Sequence, residues 1–384
     1  MVLSAMVSNA STHAGRAAVS LNALALGDAF GARLFAPDGA EAVRERTLPP
    51  RPWEWTDDTE MACSVYAVLY RYGRVEQDAL VASFAAHYDA LRGYHTATDH
   101  LLRSVQAGGD WRALAPAQFG GAGSWGSGAA MRVAPLGAWF ADDVAEAAHQ
   151  ARLSAEVTHT HADAVAGAVA VAAAAAVAGR CEPLGAGEFL DEVLDHIPSG
   201  AVHEAVHDAR ALLISSDPCA VAAELGCGEL IGARDTVPFA LWAAAKHHDD
   251  VPGALWAAAA AAATAGGDLD TTCAIVGGIV GTRLPWGQLP AGGASAPSRC
   301  RSGCRCQLRG PERTGLASGR PSQLPGEPRV QAAKARRGRM TSAQPTRNHR
   351  LSFGDAPASA GGGIDPLRSG ARTGLRRQGE RPPT

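Results

Sequence analysis

Residues 162–179 read ADAVAGAVAVAAAAAVAG, a run of small apolar side chains broken by a single acid, Asp163. Alanine is the strongest helix former, and its short side chain lets neighbouring helices approach closely. Nothing in the run alternates with period two, so a strand is excluded. The length would also cross a bilayer. Side chains this small gain little in lipid, however, and His161 and Asp163 stand at its entrance, so a buried bundle helix with no membrane contact is expected. Residues 254–266 repeat the composition, and residues 17–26, 61–70 and 273–280 are apolar at helical spacing. No segment reads as a strand. The expected class is all-α, a compact single-domain helical bundle.

The chain of 384 residues has a formal net charge of -3, which conceals two different polymers. Residues 1–290 hold 17 Lys and Arg against 33 Asp and Glu, whereas 291–384 hold 18 against 5. The second segment is rich in Pro, Gly, Ser and Arg, and Phe353 is its one aromatic residue, so it lacks the apolar area that offsets chain entropy. We expect a flexible N-terminus over 1–15, a folded domain over 16–290 and a disordered basic tail over 291–384. A basic tail can bind nucleic acid, but these arginines follow no helical or aromatic-interleaved pattern, and a solvated appendage accounts for them. The first residues carry no basic segment ahead of an apolar run, so the expected location is cytoplasmic. Cys63, Cys181, Cys219, Cys227 and Cys273 are scattered singly, as small core residues would be. Cys300, Cys304 and Cys306 fit no ordinary zinc module.

Two acidic clusters about 210 residues apart point to chemistry: Thr56-Asp57-Asp58-Thr59 and Asp268-Leu269-Asp270-Thr271-Thr272. Both lie beside apolar helical stretches, where carboxylates need a compensating charge. Capping a helix would account for Thr56 or Asp57 alone. Three acids and two threonines within residues 56–60 exceed that need. A cation is the simplest compensation, and donors that are all oxygens suit Mg²⁺ or Mn²⁺ rather than Zn²⁺. Four carboxylates can hold two such ions.

Three further motifs stand near these. Gly27-Asp28-Ala29-Phe30-Gly31 reads as the glycine-bounded end of the helix over 17–26. Residues 120–128, GGAGSWGSG, offer bare amides that open into an expected helix at 129–133, a natural cradle for phosphate, with Trp125 presenting a face to a ring. Thr158-His159-Thr160-His161 supplies imidazoles at the entrance of the Ala162 helix, where capping is the plainer role. His247-His248-Asp249-Asp250 reads as a solvated loop before Pro252-Gly253.

Taken in order, G-D-A-F-G, T-D-D-T, G-S-W-G-S-G-A-A-M-R-V-A-P-L-G, T-H-T-H and G-G-D-L-D-T-T-C-A-I-V-G-G-I-V-G resemble the ADP-ribosylglycohydrolase family over residues 16–290. The resemblance implies an all-α fold with two Mg²⁺ or Mn²⁺ ions at the bottom of a cleft, held by Thr56, Asp57, Asp58, Asp268, Asp270 and Thr271. It implies that Gly123, Ser124, Trp125, Gly126, Ser127 and Gly128 surround the diphosphate and distal ribose of ADP-ribose, and that His159 contacts the ligand. Ile231, seven residues before Pro238, looks like an adenosine-pocket residue. The implied activity is hydrolysis of an ADP-ribosylated acceptor, and a monomer is expected.

The chain departs from the family pattern at three places. Phe35 stands where many members carry a Glu resembling a metal-linked catalytic acid, Ser127 replaces the usual loop Asn, and Leu269 separates the two acids of the last motif. With Phe35 unable to move a proton, the candidates for the catalytic base are Asp57, Asp58 and Asp28. A catalytically weak protein that binds ADP-ribose is the alternative.

Overall fold

Gly27 and Gly31 lie one helical turn apart, and each faces the backbone of another helix. In the computed structural model, which describes residues 2–284, a Cβ on Gly27 would stand 2.7 Å from the carbonyl carbon of Cys273. One on Gly31 would stand 2.6 Å from the carbonyl carbon of Leu269. The helix carrying them, α1 (Val2–Arg33), therefore packs backbone to backbone against the helix that contains Cys273. The Ser20 hydroxyl seals the contact by donating to the Gly278 carbonyl at 2.7 Å. The Gly27–Gly31 motif accordingly lies within the last two turns of α1, which runs on to Arg33 past the expected end at 26, and its glycines admit a neighbour. That helix begins at Val2.

The chain continues through α2 (Gly39–Glu45), α3 (Asp57–Tyr72), α4 (Gln77–His87), α5 (Thr96–Gln106), α6 (Trp111–Gly121), α7 (Ala134–Trp139) and α8 (Val144–Glu156). It closes with α9 (Ala162–Gly179), α10 (Ala186–Leu194), α11 (Ala201–Ala211), α12 (Pro218–Leu225), α13 (Ala233–Lys246), α14 (Val251–Ala265) and α15 (Leu269–Gly281). Among the described residues there is no strand, only an isolated bridge between Gly126 and Gly232. The all-α class is borne out.

At the centre, α9 is buried from Ala164 to Gly179, packed by α7, α8, α13 and α15. Gly167 admits α13, where a Cβ would come within 2.8 Å of Ala233. Among the described residues α9 is the one helix long and apolar enough to cross a membrane, and 89% of it is buried in the protein.

Two local expectations fail. Residues 129–133 form no α-helix: a 3₁₀ turn over Ser127–Ala129 leads to α7, which starts at Ala134 behind Pro135 at its first turn. Of the five cysteines only Cys227 and Cys273 are buried, and Cys181 is exposed. The described residues all lie within one compact unit, Met1–Thr314; the expected tail over 291–384, with Cys300, Cys304 and Cys306, lies outside them.

Candidate active site

Thr56 precedes α3 in an extended conformation, and the turn it opens is held from behind by α1. The Asp28 carboxylate accepts the Thr56 amide at 2.9 Å, the Thr56 hydroxyl at 2.8 Å, the Thr59 amide at 3.1 Å and the Thr59 hydroxyl. Burial still pushes Asp28 up to about 6, the threonine bonds only limiting the rise. Asp28 is fully buried and absent from the cleft wall, so it braces the turn rather than facing a substrate. What it aims outward is Asp57 and Asp58, both on the wall of a cleft of about 460 Å³, a volume that suits a small-molecule ligand.

Asp268 and Asp270, at the start of α15, enter the same cleft with Thr271. Asp268 is fixed by its amide, which donates to the Cys227 carbonyl at 3.1 Å. Burial first, and the neighbouring Asp270 carboxyl second, push Asp268 up to about 9. Burial, then the charges of Asp270 and Asp28, push Asp57 up to about 8. Asp58 is driven well above the carboxylate range by burial and the surrounding acids.

Two details mark the cluster as short of positive charge. Asp58 Oδ1 is buried with no hydrogen-bond partner. The Thr56 hydroxyl lies 2.8 Å from Asp28 Oδ1 and 3.1 Å from Asp58 Oδ2, yet has one proton to give. Either one of these two acids carries a proton or a cation takes its place. Among the described residues no three His, Cys, Asp or Glu stand ready-made as a cage. The donor set, oxygens alone, suits a hard divalent ion.

The glycine loop lines the same cleft. Its members Ser124, Trp125, Gly126, Ser127 and Gly128 line the cleft, and Gly123 does not. The loop is stapled to the segment before α13: the Ser127 amide donates to the Ile231 carbonyl and the Ala233 amide to the Trp125 carbonyl, both at 3.0 Å. Ile231, on the wall and 46% exposed, holds a left-handed φ of 56°. Asp235 keeps that segment in place by accepting the Leu230 amide at 2.7 Å. His159 is buried but reaches the cleft behind the loop, and burial then the Arg132 charge hold its imidazole down to about 3. His161, not His159, caps α9.

Of the residues expected in the site, Asp28, Thr56 and Gly123 thus stand behind the wall, and the others are brought together on it. Phe35 is on the wall too, 59% exposed. Sequence reasoning missed Phe119, whose ring centroid is 4.5 Å from that of Trp125, as well as His95 on the wall and the buried Arg132. Phe119 follows the end of regular helix in α6, with a φ of 51°, a departure no local pattern announces.

The sequence model of the ADP-ribosylglycohydrolase family matches residues 9–309. ADP-ribosylhydrolase ARH3 of Gallus gallus is 29% identical over 181 residues, covering 46% of this chain and 49% of its own length, so the chain spans about half of that relative. The protein of the same name from Bos taurus is 27% identical over 309 residues, covering 69% of this chain and 84% of its own. A solved structure described as an ADP-ribosylglycohydrolase-related protein complex aligns with a TM-score of 0.48 at 24% identity, covering 73% of this chain and 91% of that one.

Proposed function

The chain belongs to the ADP-ribosylglycohydrolase family, and on that premise we propose that it is a hydrolase that cleaves the bond between ribose C1″ of ADP-ribose and the nitrogen or oxygen of a modified acceptor, releasing ADP-ribose. The observation that carries this reading is the meeting of two acid pairs, Asp57 with Asp58 and Asp268 with Asp270, on one cleft with the glycine loop and His159. The Gly126–Gly128 backbone and His159 bind the diphosphate and distal ribose, and Trp125 and Ile231 border the ring end. Asp57 or Asp58 takes the proton of the attacking water, while the enclosing walls position that water against the anomeric carbon. Separation of the leaving atom, which takes up the proton the carboxylate received from water, passes through an oxocarbenium-like state that the surrounding carboxylates stabilise.

Two Mg²⁺ or Mn²⁺ ions are part of the proposal, with Asp57, Asp58, Asp268, Asp270 and Thr271 as their ligands on the wall and Thr56 behind them. The unpartnered Asp58 Oδ1 supports it. When bound, such ions supply Lewis acidity and neutralise the cluster. The test is a panel of acceptors ADP-ribosylated on arginine, serine or a nucleic-acid base, incubated with protein and Mn²⁺ or Mg²⁺ and assayed for free ADP-ribose. A specific observation favours a second reading, a protein that binds ADP-ribose but turns it over poorly: an apolar ring, Phe35, faces the cleft. Stabilisation by ADP-ribose without release from any acceptor would select it.

A further inference from the structure

Arg132 is the largest buried cation among the described residues and forms no ion pair among them. Its Nη2 donates to the Ser154 carbonyl at 2.6 Å and to the Thr158 hydroxyl at 2.9 Å, its Nη1 lies 3.6 Å from the Met61 sulfur, and its guanidinium carbon is 4.7 Å from the centre of the Phe84 ring. A buried charge is costly unless its hydrogen bonds serve it. Here one of them ends on the residue beside His159.

Guanidinium has donors only, so Thr158 Oγ1 must accept from Arg132. Its single proton then has two destinations: His159 Nδ1 at 2.7 Å and the Ala155 carbonyl at 3.5 Å. The shorter bond takes it. With Nδ1 accepting, a neutral imidazole carries its proton on Nε2. That edge faces the glycine loop, where a Cβ at Gly128 would stand 2.9 Å from Nε2 and one at Gly126 3.5 Å from it. The glycines leave the N–H access to the cleft.

We propose that Arg132 and Thr158 are positioning residues that lock His159 in the Nε2–H tautomer, making it a permanent hydrogen-bond donor to an oxygen of the bound nucleotide rather than a proton-transfer group. The proposal rests on the ADP-ribose site described above, but its test needs no turnover. Arg132 and His95 are the charged or titratable groups whose fields act on the ring, and both oppose a second proton.

The experiment is a long-range ¹H–¹⁵N spectrum of the full chain, with His159 assigned by the signal lost in His159→Gln, together with calorimetric titration of ADP-ribose. The parent is expected to show the Nε2–H pattern, unchanged between about pH 5 and about pH 8. Thr158→Val, isosteric but unable to donate, should populate the other tautomer and weaken ADP-ribose about tenfold, the worth of one hydrogen bond. Thr158→Ser should restore both. An Nδ1–H pattern or a titrating His159 in the parent overturns the proposal, as does Thr158→Val with tautomer and affinity unchanged. Should Thr158→Val not fold, the parent spectrum decides alone. A parent that binds no ADP-ribose defeats the reading of the cleft, while its spectrum still judges the lock.

Discussion

The Thr56 amide donates to the Asp28 carboxylate at 2.9 Å, tying the turn before α3 to the C-terminal part of α1. Because both Asp28 oxygens are engaged and the group is fully buried, Asp28→Asn sets an NH₂ against donors that need an acceptor. We expect it to cost about 2–4 kcal/mol of stability, from two buried donors left unpaired. Urea denaturation measures this. An unchanged midpoint with abolished hydrolysis would instead make Asp28 a catalytic group.

Gly31→Ala tests the helix contact that brings the two acid pairs together. The new Cβ would meet backbone atoms of Leu269 and Asp270, which cannot yield as a side chain can. A loss of about 3 kcal/mol is expected from overpacking, with Mn²⁺ binding weakened in whatever folds. Wild-type stability and affinity in Gly31→Ala would mean that α1 and α15 are not in backbone contact.

These two residues also show what the sequence discloses. Acidic clusters, the glycine loop and the Ala-rich α9 are legible because each is a local excess: more carboxylates, glycines or alanines than a helix or turn requires. The role of Asp28 is not legible, since a carboxylate that braces and one that catalyses look the same until its partners, Thr56 and Thr59, are located. Likewise Arg132, in a segment expected to be helical, gives no sign of complete burial. Phe119 enters the site through a left-handed backbone that propensity does not favour.

Asp58→Asn removes a carboxyl whose ionisation the fold opposes and, when metal is bound, one charged ligand. In chelator the variant is expected to melt above the parent, because Asp58 is buried among Asp28, Asp270 and Asp57. In Mn²⁺ the order should reverse, with affinity down about tenfold or more, as befits losing one charged oxygen of a hard cation's site. Calorimetric titration that detects no Mn²⁺ binding to the parent would remove the metal from the proposal.

The cluster also sets a pH dependence. Asp57, pushed up to about 8, and Asp268, up to about 9, ionise near 3.8 in the unfolded chain. Between those values the folded state keeps protons that the unfolded state has released, so stability falls as pH rises. His159, held down to about 3 against 6.5 unfolded, acts oppositely but only below 6.5. From pH 6.5 to 8, therefore, the melting temperature in chelator should fall, and saturating Mn²⁺ should flatten the curve. A flat or rising profile in chelator contradicts a shared acidic cluster.

Phe35 decides between an efficient enzyme and a weak one. Its ring is 59% exposed on the cleft wall, so Phe35→Glu gives up little packing and should leave the fold and ADP-ribose affinity nearly intact. If hydrolysis needs a carboxylate at this place to polarise water or protonate the departing atom, the substitution should raise the rate by about 10²–10⁴-fold, the usual worth of general acid–base catalysis. The remaining acids argue for an active parent: Asp57 and Asp58 already present carboxylates to the same space, and either can serve as base. In that case Phe35→Glu leaves the rate unchanged while Asp57→Asn or Asp58→Asn, whichever removes the base, abolishes it. Single-turnover release of ADP-ribose by the parent, Phe35→Glu, Asp57→Asn and Asp58→Asn separates these outcomes, and equal rates in all four would defeat both mechanisms, because neither Asp57 nor Asp58 would then be moving the proton.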